Sequence, residues 1–204
     1  MQTLKLTYFD FSGGRGEPAR LALHIGGIEF EDYRFPINDF TAIRATTPLQ
    51  QVPTLTVDGQ QITQSNAINR YVGKLAGLYP EDNFQALLCD EIMDALEDVT
   101  QKLVNTFSMS GDEQKHVREA LVEGPLSQYL KWIEARLIEQ GGEYFIEQRL
   151  TIADLKVFVW VKSLNSGHLD HIPTTLVEHV APKLLEHNKR LSDTPAILEY
   201  YSKR

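Results

Sequence analysis

Leu4-Lys-Leu-Thr-Tyr-Phe-Asp-Phe-Ser-Gly-Gly-Arg-Gly-Glu-Pro-Ala-Arg20 is the stretch that decides the fold. Leu4, Leu6 and Tyr8 alternate with Lys5 and Thr7, the two-residue period of a strand. Ser12-Gly-Gly-Arg-Gly16 makes a turn, and Glu17-Pro18 opens a helix, since the N–H that proline lacks has no intrahelical partner in a first turn. Leu21, Ala22 and Ile25 share one face of that helix, and Gly26-Gly27 supply a left-handed stop.

Working outward, Ile28 to Phe35 reads as a second strand, and a short helix follows it. Val52-Pro53-Thr-Leu-Thr-Val57, the turn Asp58-Gly59 and Gln60 to Thr63 read as a hairpin. Ser65 is the expected N-cap of a helix carrying Ile68, Tyr71, Val72 and Leu75 and ending at Gly77. The order is β-α-β-helix-β-β-α. Beyond Leu78-Tyr-Pro80-Glu-Asp82 no strand pattern survives. Phe84 to Phe107 carries apolar residues at 84, 88, 92, 96, 99, 103 and 107, a helical stripe. A long helical stretch runs from about Glu113 to Glu139, and Gly124-Pro125 predicts a break inside it. Thr151-Ile-Ala-Asp154 resembles a capping box at the head of a buried helix, Leu155-Lys-Val-Phe-Val-Trp160. Further helices are expected between Pro182 and Leu191 and after Pro195. These signals predict an α/β unit over 1–78, a linker at 79–82 and an all-helical unit over 83–204.

The chain has 204 residues, 28 acidic and 20 basic, for a net charge of −8. That balance repels nucleic acid and anionic membranes at long range, so neither is expected as a partner. The amino terminus lacks the apolar run of a signal peptide, and no stretch approaches the roughly 20 apolar residues of a membrane span. The expectation is a cytoplasmic protein. Cys89 is the only cysteine. An internal disulfide and a Cys-x-x-Cys centre are therefore excluded, and the chemistry cannot depend on a dithiol of the chain's own.

Several residues have chemistry to offer, each with a plainer alternative. Tyr8 sits at the carboxyl end of the first strand, where α/β layers gather ligands and helix amino termini attract anions. A phenol there can donate to a thiolate or oxyanion, or simply be a core tyrosine. Gln64-Ser65 suits a carboxylate, or is a plain helix start. Val52-Pro53 before a strand suggests a cis peptide. Arg15 and Arg44 are candidate carboxylate binders or ordinary surface residues. Asp154 reads as structural rather than catalytic. His168-Leu-Asp-His171 lacks further ligand spacing, so no metal site is expected.

The ordered set Tyr8-Phe9, Arg15-Gly-Glu-Pro-Ala-Arg20, Gln51-Val52-Pro53, Asp58-Gly59, Gln64-Ser65 and Thr151-Ile-Ala-Asp154 resembles the cytosolic glutathione transferases. The resemblance covers essentially the whole chain and is closest to the tyrosine-type classes, sigma in particular. It implies a thioredoxin-like amino-terminal domain and an all-α carboxyl-terminal domain. It implies glutathione as co-substrate with no further cofactor, a hydrophobic electrophile as second substrate, and a homodimer. By resemblance, Tyr8 is the catalytic hydrogen-bond donor to the glutathione sulfur. Gln51 and the main chain of Val52 hold the peptide beside cis-Pro53. Gln64 and Ser65 hold the γ-glutamyl carboxylate, while Phe40 and Arg44 lie at the glycine end. Asp98 reaches the other subunit's ligand, and Phe9, Arg15, Val104 and Phe107 line the electrophile pocket. The turn from Tyr8 to Arg15 is one residue longer than the tyrosine-type pattern, which leaves Ser12 as a rival hydroxyl, and Phe40 replaces a more usual tryptophan. The resemblance also admits a glutathione-dependent isomerase of prostaglandin synthase type, or a non-catalytic ligand carrier or structural protein.

Overall fold

The structure, a computed structural model, describes residues 2–203. It divides into two compact units, one running to Tyr79 and joined by the stretch from Pro195, the other spanning Pro80–Thr194.

The first unit is built on a four-stranded sheet of order β2-β1-β3-β4. Its strands are β1 (Leu4–Phe9), β2 (Glu31–Phe35), β3 (Thr54–Val57) and β4 (Gln60–Ile62). β1 pairs in parallel with β2, Tyr8 opposite Arg34, and antiparallel with β3, Thr7 opposite Thr54. The parallel pair requires a crossover, and α1 (Glu17–Ile25) provides it. Asp58 and Gly59 both take positive φ, +48° and +86°, which turns β3 into β4 as the Asp-Gly signal predicts. α2 (Phe40–Arg44) and α3 (Ser65–Leu75) complete the layer, with α3 packed on α1 and β3. Leu6, Leu21, Leu23, Leu55, Ile68 and Val72 are the interior.

The second unit is helical. It comprises α4 (Asn83–Val104), α5 (Gly111–Leu121), α6 (Ser127–Glu139), α7 (Ile152–Leu164), α8 (Leu176–Val180) and α9 (Pro182–Ser192). α7 is buried on nearly every side, from Ile152 through Val161, because it is packed by α4, α8 and α9. Asp82 caps α4, its carboxylate accepting from the N–H groups of Phe84 and Gln85 at 3.0 Å. The break at Gly124-Pro125 is real: Gly124 leaves the helical region (φ −112°, ψ −106°) between α5 and α6.

Four expectations need correction. The second strand begins at Glu31, not Ile28. Ser65 is the first residue of α3 rather than its cap, a position taken by Gln64. The long helical stripe ends at Val104, leaving Phe107 57% exposed beyond it. The last helix, α10 (Pro195–Ser202), belongs with the first unit, because it packs on α1 and places Tyr200 5.4 Å from His24, ring to ring.

Candidate functional site

The register of the sheet brings the scattered candidates of the first unit into one row. Thr7 faces Thr54, so the next pair along β1 and β3 is Tyr8 and Pro53. Leu55 faces Ile62, so two steps further along β3 and β4 Pro53 lies level with Gln64. The Val52–Pro53 peptide is cis. α1 starts at Glu17 and α3 at Ser65, so each helix has its amino terminus, the positive end of its dipole, close in sequence to this row.

Tyr8 is 5% exposed, and its hydroxyl accepts the main-chain N–H of Arg15 at 2.9 Å. A phenol oxygen that accepts one hydrogen bond keeps its own proton for another, and the accepted bond makes it the stronger donor. Burial pushes the Tyr8 hydroxyl above its ordinary pKa, while the Arg15 N–H and the charges of Arg15 and Arg20 pull the other way. Tyr8 therefore stays protonated at neutral pH. The turn closes on the ring so tightly that side chains are excluded. A Cβ on Gly14 would lie 2.4 Å from the Tyr8 hydroxyl, and one on Gly16 would lie 2.5 Å from the ring. The longer turn thus folds onto Tyr8 through Gly14, Arg15 and Gly16, and Ser12 is exposed.

Gln64 adopts φ +74°, ψ 106°, a conformation that costs a non-glycine residue about 1–3 kcal/mol and recurs where function demands it. Ser65 beside it is 8% exposed, and Gln51 is exposed just ahead of half-buried Val52. Phe40 packs against Phe9 at 5.1 Å between ring centroids, and Arg44 lies over Phe40 while donating to Gln50 at 3.3 Å. Phe9 is half-buried among Phe35, Phe40 and Phe11. The first unit therefore gathers Tyr8, Pro53, Gln64 and Ser65 at one edge, with Phe9, Phe40 and Arg44 forming an aromatic and cationic flank.

Asp98, Val104 and Phe107 belong to the second unit. Asp98 is exposed on α4 beside a groove of about 330 Å³ lined also by Ala95, Gln128, Tyr129 and Trp132. Val104 is half-buried, and Phe107 lies under the Arg118 guanidinium, 5.6 Å from ring centre. Asp154 is fully buried and accepts from the N–H groups of Thr151 and Phe145, completing the predicted capping box. Among the described residues, no three His, Cys, Asp or Glu side chains are grouped to hold a metal ion, and no helix is long and apolar enough to cross a membrane.

Sequence reasoning passed over a charge cluster beneath Tyr8. Arg20 and Glu17 are fully buried, with Asp32 and Arg34 from β2 beside them. The i, i+3 spacing of Glu17 and Arg20 inside an apolar helix face was the available signal.

The family profile of the glutathione S-transferase N-terminal domain matches residues 4–74, and that of the C-terminal domain matches residues 97–204. Glutathione S-transferase 1 of Ascaris suum is 34% identical over 210 residues, covering 100% of this chain and 98% of that protein. The structure of prostaglandin synthase D of Nilaparvata lugens superposes with a TM-score of 0.87 at 30% identity, covering 99% of this chain and 98% of that one. A monomeric glutathione S-transferase of the hookworm Necator americanus superposes with a TM-score of 0.79 at 25% identity, covering 99% and 97%.

Proposed function

Since the chain belongs to the glutathione S-transferase family, we propose that it ionises the thiol of glutathione with Tyr8 and transfers the sulfur to a hydrophobic electrophile. The observation that carries this reading is the Tyr8 hydroxyl, protonated, braced by the Arg15 N–H and level with Pro53 and Gln64. A free thiol has a pKa near 8.5, so only a few per cent is thiolate at neutral pH. Lowering that by about two units takes roughly 2.7 kcal/mol, and one charge-assisted hydrogen bond contributes about 1.5–3 kcal/mol. Tyr8 supplies most of the shift, and the amino terminus of α1 adds to it. The nucleophile comes with the co-substrate, so buried Cys89 has no part in it.

In this reading Gln51 and the Val52 main chain hold the peptide in strand-like fashion, with Gln64 and Ser65 on its γ-glutamyl carboxylate. The strained main chain of Gln64 supports that assignment. Arg44 and Phe40 take the glycine end, Phe9 and Arg15 are the first unit's candidates for contact with the electrophile, and Val104 and Phe107 are the second unit's. No further cofactor is required. We also propose a cytoplasmic, two-fold dimer in which exposed Asp98 crosses to the partner's ligand. Sedimentation at micromolar concentration should give twice 23.2 kDa. A fully active monomer would remove Asp98 from the site.

The test is a panel of electrophiles assayed with and without glutathione, on the parent and on Tyr8→Phe. Conjugates should form only with glutathione, and Tyr8→Phe should lose about ten- to a hundredfold at neutral pH, partly restored at higher pH. If Ser12→Ala raised the bound thiol's pKa and Tyr8→Phe did not, the role would pass to Ser12. The likeness to a prostaglandin synthase favours a second reaction, isomerisation with glutathione regenerated. Product analysis separates the two.

A further inference from the structure

The main chain that carries Tyr8 is held from beneath by a guanidinium that the proposed reaction does not use. Arg20 is fully buried, and it directs donors at three carbonyls of the end of β1 and the turn after it. Phe9 accepts at 3.1 Å, and Tyr8 and Phe11 accept at a longer 3.5 Å. The guanidinium also lies 5.6 Å from the centre of the Tyr8 ring. A buried cation of this kind persists only if its charge is matched. Asp32 accepts from Nε at 2.8 Å and is shared with Arg34, and Glu17 lies 3.4 Å from Nη1.

Glu17 is the least secure member of this cluster. It is fully buried, and burial drives its carboxyl above the ordinary range against the pull of Arg20 and Arg34. Its remaining support comes from the other end of the chain. α10 packs on α1, and the hydroxyls of Tyr200 and Tyr201 donate to the Glu17 carboxylate. Tyr200 is 8% exposed and Tyr201 half-buried, their rings 5.0 Å apart.

We propose that Tyr200 and Tyr201 are positioning residues for the transferase reaction: by holding Glu17 as a carboxylate they hold Arg20, and Arg20 holds the main chain that aims the Tyr8 hydroxyl. The inference rests on Tyr8 being the donor to the glutathione sulfur. Without the two hydroxyls, Glu17 takes up a proton or draws Arg20 away from the carbonyls. Either change loosens the segment from Tyr8 to Phe11 and weakens a hydrogen bond whose effect depends on placement to within a fraction of an ångström.

The experiment titrates the thiolate of bound glutathione by ultraviolet difference in the parent, in Tyr200→Phe/Tyr201→Phe, in Ile197→Ala and in Tyr8→Phe. Ile197 is fully buried on the same helix but has no polar role, so it reports packing alone. The double variant should raise the thiolate pKa by about one unit and lower kcat/KM about tenfold at about pH 6.5. It should recover at higher pH, with KM for glutathione within about twofold of the parent. Ile197→Ala should lower the melting temperature and leave the thiolate pKa in place. A double variant that titrates like the parent, or an Ile197→Ala shift of equal size, overturns the inference while leaving Tyr8 its role. An unchanged thiolate pKa in Tyr8→Phe overturns the Tyr8 assignment and this inference with it. If the double variant does not fold, the single Tyr201→Phe is read by the same criteria.

Discussion

Gly16 shows how much a single hydrogen atom decides at this site. Its missing side chain is what lets the turn lie against Tyr8, since a Cβ there would stand 2.5 Å from Cγ of the ring and within 2.8 Å of Cβ. Gly16→Ala should therefore cost about 1–3 kcal/mol of stability through overpacking, and it should also lower turnover, because the ring is pushed from its place. Gly59→Ala is the comparison: its φ of +86° is unfavourable for alanine, yet nothing lies within 4 Å. That variant should lose about 1 kcal/mol and keep its activity. Paired melting curves and turnover numbers check both. Equal activity in the two would mean that the ring position does not matter. The glycines were visible in the sequence as a turn, but their reason for being there, contact with Tyr8, was not.

At the scale of elements, the start of α7 carries more than a helix cap. The Asp154 carboxylate accepts from the Thr151 N–H and hydroxyl at 2.8 and 2.6 Å, from the Phe145 N–H at 3.1 Å and from His187 Nε2 at 3.0 Å. The His187 contact joins Nε2 to Oδ1, and the tautomer that carries the ring hydrogen on Nε2 is the one that donates to it. A cap alone is worth about 0.5–2 kcal/mol, which is the expected cost of Thr151→Ala. Asp154→Ala strips four buried donors of their acceptor and should cost about 3–5 kcal/mol, with activity per folded molecule little changed. Chemical denaturation of both variants measures the difference. Equal losses would reduce Asp154 to a capping role. The box itself was legible, being local; Phe145 and His187 join it across 9 and 33 residues of chain, which no local pattern reveals.

For the whole molecule, the buried tyrosines give the stability a direction with pH. Tyr8, Tyr200 and Tyr201 all have hydroxyls raised above the ordinary value of 10.0, chiefly by burial. A group whose pKa is raised by folding contributes fully below its unfolded value, and the contribution is lost as pH climbs toward the folded one. Stability should therefore fall above about pH 10, by about 1.4 kcal/mol per pH unit for each tyrosine and about 4 kcal/mol for three as an upper figure. Urea denaturation at about pH 9 and about pH 11 measures it, and Tyr200→Phe/Tyr201→Phe should flatten the slope. A slope unaltered by that variant would mean the two hydroxyls ionise as freely in the folded chain as in the unfolded one.

The sequence by itself determined the order of the strands and longer helices, though not the short α8, and with it the hairpin, the break at Gly124-Pro125, the capping box and the identity of the candidate residues. Each of these is written in spacing over a few neighbours: the period of a strand or helix, a turn dipeptide, a cap. What it left undetermined was everything set by distance in space. The level alignment of Tyr8, Pro53 and Gln64 comes from strand register, and the docking of α10 on α1 joins the two ends of the chain. The burial of Arg20 and Glu17 follows from that packing, as does the support that Asp154 draws from His187. Local backbone preference acts over one or two turns, whereas register, burial and the matching of charges are properties of surfaces that meet only when the chain has folded.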